Sequence, residues 1–202
     1  MVGQRTRTER VDATRNRQRL LDAAVAAFSA GAPPSLEAVA RAAGVGIGTL
    51  YRHFPTREAL VEAVYRAELD RLCDGATALV AKNPPDVGLR KWMTRYASFV
   101  RTKQGMAEAL RALIASGAIG SAQTRPRINA AIATFLDAGA AAGTLRADVR
   151  ADDVAASLVG ILLVAGSPEQ RVQATRMIDL LMDGLRVRQA VPTDGEAGTP
   201  AR

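Results

Sequence analysis

Residues 35–60 read SLEAVARAAGVGIGTLYRHFPTREAL, and the punctuation of this stretch decides the fold. Ser35 stands before Leu36, Val39, Ala40 and Ala43, apolar positions at helical spacing, with Glu37 in the first turn. A hydroxyl cap followed by an early acid marks a helix start. Gly44 ends that helix. Ile47, Leu50, Tyr51 and Phe54 repeat the same stripe over a very short second helix closed by Pro55, and Thr56 with Glu58 opens a third. Two short helices can cross closely around a tight turn only if a small residue lies inside the first and a flexible one in the turn. Ala40 and Gly44 meet both demands, so the spacing predicts a helix-turn-helix.

Outward from this unit the helical period continues. Upstream, Leu21, Ala24, Val25 and Phe28 form one stripe on a helix expected from about Asp12 or Thr14 to Ala30, stopped by Gly31 and Pro33-Pro34. Downstream, the helix from Thr56 runs through Leu60, Val64, Tyr65, Leu69 and Leu72 to a break at Lys82-Asn83-Pro84-Pro85, read as a linker. Longer helices follow around Leu89 to Val100, Met106 to Leu113 and Ile128 to Leu136, then from about Ala151 to Ala165 and from Pro168 to Val187. Ser167-Pro168-Glu169-Gln170 combines a capping box with proline at the first helical position. Alternating β-branched runs bounded by turns are absent. The expected fold class is all-α with about nine helices. Residues 1–11 are expected to be a disordered basic arm, 12–60 the helix-turn-helix domain, 61–188 a second helical domain and 189–202 a disordered tail.

The 202 residues, 48% of them apolar, suffice for one large or two small domains. No run of 18 or more uncharged apolar residues occurs, so a membrane span is not expected, and the polar, arginine-rich start lacks the apolar segment of a secretory signal. A cytoplasmic location follows as an expectation. One cysteine, Cys73, and one histidine, His53, leave no material for an internal disulfide or a structural zinc site, and very little for a nucleophile–histidine pair. The expectation is therefore a protein without metal, cofactor or catalytic residues, not an enzyme. Lys and Arg number 27 against 20 Asp and Glu, a net charge of +7, and six arginines fall before residue 20. That excess suits a polyanion. In a helix-turn-helix the second helix lies in the major groove of duplex DNA while the first crosses the backbone.

The string from Gly44 to Leu60, with Gly48-Thr49-Leu50-Tyr51-Arg52-His53-Phe54 followed by Arg57, Glu58 and Leu60, resembles the signature of the tetracycline-repressor (TetR) family of transcriptional regulators. The first helix with its Phe28 is also similar, so the resemblance spans about residues 12 to 65. It implies that Gly46, Ile47, Gly48 and Thr49 open the recognition helix against the bases, and that Tyr51, His53 and Arg57, with Ser35 and Arg52, hold phosphates. Gly48 permits close backbone approach. Gly46 stands where the family commonly has serine or threonine, giving up a side-chain oxygen at the cap. Between Gly44 and Phe54 there is no Asn, Gln or Lys, so apolar contact of Ile47 or Thr49 with thymine methyls gains weight.

A single helix-turn-helix reads too few base pairs to select one site, which calls for two copies. The last two helices are apolar on more than one face and need cover on both sides. The resemblance implies that they pair with their symmetry mates, and the expected homodimer interface comprises Leu158, Ile161, Leu162, Ile178, Leu181 and Leu185. In the middle helices, Trp92, Tyr96, Leu110 and Phe135, with Glu108 as a polar contact, are expected to line an apolar effector pocket. The resulting expectation is a homodimeric repressor, released from a near-palindromic DNA operator by a small apolar or aromatic effector. Two rivals are a DNA-binding activator or architectural protein of the same fold without ligand, and a helical enzyme or carrier.

Overall fold

The computed structural model describes residues 2–31, 34–119 and 123–187, with side chains from residue 11 onward. Among these residues there are nine helices and no strand: α1 (Val2–Ser29), α2 (Leu36–Ala42), α3 (Ile47–His53), α4 (Arg57–Lys82), α5 (Pro85–Gly105), α6 (Ala107–Ala115), α7 (Thr124–Ala141), α8 (Ala151–Leu163) and α9 (Pro168–Leu185). No helix among the described residues is long and apolar enough to cross a membrane. The expected tail 189–202 lies outside the described residues, as do Pro33 and Gly120-Ser121.

The start signals act as their chemistry requires. Ser35 and Thr56 each accept a hydrogen bond from the backbone N–H three residues on, and Ser167 with Gln170 closes a reciprocal capping box. Gly44 adopts φ +65°, and the N–H groups of Gly44 and Val45 donate to the carbonyls of Arg41 and Ala40, a left-handed helix stop that a side chain would strain. Gly44→Ala is therefore expected to lower the unfolding free energy by about 1–2 kcal/mol in urea denaturation, the penalty of the left-handed region for a residue with Cβ.

Two boundaries differ from the sequence reading. Helix α1 begins at Val2 instead of near Asp12, so the backbone of the arginine-rich arm continues the helix. Residues 2–11 lack proline, and Gln4, Glu9 and the arginines favour a helix, which outweighs Gly3 and the β-branched Val2, Thr6, Thr8 and Val11. The break at Asn83-Pro84 is a tight connection, not a linker, because α4 and α5 pack along each other. Asn83 donates to the Leu79 carbonyl there, and the buried Trp92 indole donates to the Leu72 carbonyl at 2.9 Å. The expected division at residues 60 and 61 falls inside α4, which packs on α1 as well as on α5, α6 and α7.

A single core runs from Leu20, Leu21, Ala24 and Phe28 of α1 through Leu50 and Phe54, Leu60 to Leu79, Trp92 and Phe135 to α8 and α9. The junction between the helix-turn-helix and the rest is close. Gly105 at the end of α5 lies directly against the Phe28 carbonyl, and Ser29 and Thr102 share a hydrogen bond of 2.8 Å between their hydroxyls.

The expected dimer residues need correction. Leu158, Ile161, Leu162, Ile178 and Leu185 are buried inside the chain and Leu181 is half-buried, so they hold α8 and α9 onto their own core. The outward face carries Leu163 (75% exposed), Leu180 (70%) and Val172 (59%), with Val159 and Val164. On helices apolar nearly all round, periodicity gives two candidate stripes and no means of telling which one faces inward.

Candidate nucleic-acid interface

Helix α3 is set by its inner face. Leu50 and Phe54 are buried against α1 and α2, and Phe54 lies under the Arg17 guanidinium, 5.3 Å from the ring centroid. The opposite face is open. Ile47, Gly48, Tyr51 and Arg52 are exposed, Thr49 and His53 are half-buried, and a Cβ added at Gly46 or Gly48 would meet nothing within 4 Å. Gly46 caps α3 with no side-chain bond, and the Thr49 N–H turns back to the Gly46 carbonyl at 2.9 Å.

The residues named from the sequence do come together, with different duties. Tyr51 (45% exposed) and Arg52 project from the outer face of α3. The Ser35 oxygen accepts from the Ala38 N–H at 3.1 Å, which leaves its hydroxyl proton for an external oxygen. His53 tilts against Phe54, ring centroids 6.3 Å apart. Arg57 donates to the Pro34 carbonyl at 2.8 Å, tying the entry of α2 to the first turn of α4, so it secures the unit's geometry with part of its guanidinium. Sequence reasoning left out two α1 cations of this region. Arg17 rests on Phe54, and the tip of Arg19 reaches the turn at Gly44. The signal was available: Arg17 lies four residues before Leu21, on the N-terminal continuation of the buried stripe.

Some 430 Å³ of cavity lies between α5, α6, α7 and α8, walled by Tyr96, Phe99, Leu110, Ile128 and Leu162 among others. Of the residues named from the sequence, Tyr96 and Leu110 line it. Trp92 and Phe135 do not: both are fully buried, Trp92 stacked on Tyr96 at 5.5 Å between centroids and Phe135 tilted against Trp92 at 6.2 Å. Glu108 is exposed and outside the lining. It sits on the solvent side of α6, two positions from Leu110, and neighbours at that spacing point apart on a helix. Val100, Lys103, Gln104, Arg111 and Ile114 complete much of the wall, and sequence reasoning missed them because aromatic content alone guided the choice. Burial, and then the neighbouring Tyr65, push the Tyr96 hydroxyl above its ordinary value, so it stays neutral at physiological pH. Tyr65 of α4 in turn shares a 2.8 Å hydrogen bond with Thr124, the first residue of α7, and Thr124 lines the cavity.

Two family models match the chain: bacterial regulatory proteins of the tetR family over residues 20–64, and the C-terminal domain of SbtR-like transcriptional regulators over residues 84–187. Among solved structures, a TetR transcriptional regulator from Streptomyces coelicolor is 50% identical, with 84% of this chain and 98% of that one covered and a TM-score of 0.78. A TetR transcription regulatory protein from Mycobacterium vanbaalenii is 34% identical, with 88% and 99% covered and a TM-score of 0.70. A transcriptional regulator from Cytophaga hutchinsonii, 14% identical with 83% and 97% covered and a TM-score of 0.62, shares the fold. No curated protein matches.

Proposed function

The chain belongs to the TetR family of bacterial transcriptional regulators, and from that premise we propose that it is a homodimeric repressor that leaves its operator when a small molecule fills the cavity between α5 and α8. One observation carries the DNA-binding half of this reading: the open outer face of α3. Its glycines at 46 and 48 keep the backbone accessible, Tyr51 and Arg52 project outward, and the α1 cations stand behind it. Ile47 and Thr49 read the bases. Tyr51, Arg52, His53 and Ser35 hold phosphates, while Arg57 fixes the unit on which they sit.

Effector response rests on what the cavity walls touch. The end of α5 carries Phe99, Val100, Lys103 and Gln104 toward the cavity and Thr102 and Gly105 toward α1. Thr124 ties the opposite wall to α4 through Tyr65. A ligand that fits the cavity better in one arrangement of these helices than in the other depopulates the DNA-fitting state by that difference in affinity. A same-fold regulator without ligand leaves the cavity unexplained.

The test selects bound fragments from genomic DNA and then measures affinity against salt. Arg52→Ala is expected to weaken binding to every sequence alike and to reduce the magnitude of the salt slope by about 1. Thr49→Val should instead change the ranking of operator variants, by about 1–3 kcal/mol at the base pair it touches. A uniform loss from both substitutions would refute the division of labour, and protein that selects no fragment would refute the function.

A further inference from the structure

We propose that the effector is an amphipathic anion, a small carboxylate with an apolar body, whose head group is held by Lys103 and Arg111 while its body lies between Tyr96, Phe99, Leu110 and Ile128. This rests on the reading of the cavity as the effector site, and it adds the ligand's charge and orientation.

The argument starts from the wall. Its charged side chains are Lys103 and Arg111, and none of its residues is acidic. Both cations are exposed, at the solvent-facing rim, whereas Tyr96, Phe99, Leu110 and Ile128 are buried behind them. A second cavity of about 400 Å³ shares Tyr96, Lys103, Thr124 and Ile128 with the first, and adds one further cation, Arg125. That guanidinium is already neutralised by Asp152 at 2.7 Å. Arginines on neighbouring surfaces are matched in the same way, Arg66 by Glu62 and Arg127 by Asp70. Among the described residues, Lys103 has no carboxylate partner, and Arg111 gives only a 3.3 Å hydrogen bond to the Ala107 carbonyl of its own helix. Two cations without counter-ions stand over an apolar chamber. A carboxylate entering such a chamber loses water and needs a cation to offset that loss, while a cationic ligand meets repulsion from both residues. Gln104, beside Lys103 on the same wall, supplies an uncharged donor for the second carboxylate oxygen. The head group is then held one residue from Thr102 and two from Gly105, two residues of α5 in contact with α1.

The test compares ligands with one tail and three heads: octanoate, octanol and octylammonium, titrated calorimetrically into the full-length protein. Trp92, the sole tryptophan, stacks on Tyr96 of the cavity wall and gives an independent fluorescence readout of occupancy. Octanoate is expected to bind once per chain and about tenfold more tightly than octanol, the worth of one charge-assisted contact, with octylammonium weakest. Added salt should erode the advantage of octanoate and leave octanol unchanged. In the variant combining Lys103→Gln and Arg111→Gln, octanol should bind as before while the octanoate preference disappears, so octanol binding also reports that the cavity is intact. Equal affinity for octanoate and octanol in the unaltered protein, or a preference that survives the double substitution, overturns the proposal. So does a binding signal that vanishes as protein concentration rises, which would mean that a second copy fills the space. Operator release is measured separately: head-group preference without release counts against the regulator reading, and release by octanol alone counts against the anion.

Discussion

Replacing Gly105 by alanine is expected to lower the unfolding free energy by about 3 kcal/mol and to disturb operator binding even where the chain still folds. A Cβ at this position would run into the Phe28 carbonyl oxygen and lie 2.8 Å from its carbon. Both are backbone atoms of α1, so no rotamer change relieves the clash and the helices must separate. Separation also stretches the Ser29–Thr102 hydrogen bond. The substitution therefore acts at the backbone-to-backbone approach within the contact between α5 and α1. Urea denaturation should show the midpoint fall, and binding to the selected operator fragment should weaken under conditions where the variant is still fully folded. Stability and affinity both within error of the unaltered protein would mean that this junction is not the tight contact described.

Placing aspartate at both Leu163 and Leu180 is expected to convert the protein to monomer in sedimentation equilibrium and to weaken operator binding by about 100-fold or more, because the second reading head loses its tethered effective concentration. Both side chains are largely exposed and apolar on the outer face of α8 and α9. A charge there costs little in the isolated chain and a great deal across a paired apolar surface. Leu158→Asp makes the contrast, since that side chain is fully buried in its own core and the variant should unfold instead of dissociating. A dimer that persists in the doubly substituted protein, with operator affinity intact, would place the pairing surface elsewhere.

Much of this was legible in the residues. Ser35, Gly44, Thr56 and the Ser167–Gln170 box are local signals whose meaning depends on the backbone within three or four positions, and each marks a helix end in the structure. The stripe on α3 was half right: Leu50 and Phe54 face inward, while Ile47 and Tyr51 of the same stripe stay exposed, as the family resemblance and not the periodicity implied. What stayed hidden depends on neighbours distant in sequence. Trp92 is core and not wall because Leu72, Tyr96 and Phe135 close around it, and nothing near Trp92 in sequence says so. Lys103 and Arg111 look like ordinary surface cations until α5, α6 and α8 are brought together. Inward and outward stripes on α8 and α9 were indistinguishable for the same reason.

The unbroken course of α4 through both parts of the molecule sets a scale for motion. Its 26 residues make a rod of about 39 Å at 1.5 Å per residue. Pivoting such a rod by about 5° at its Lys82 end sweeps the Arg57 end through about 3.4 Å, the stacking step between adjacent base pairs. In the proposed symmetric pair, a tilt of that size in each rod is enough to throw the two heads out of phase with the grooves.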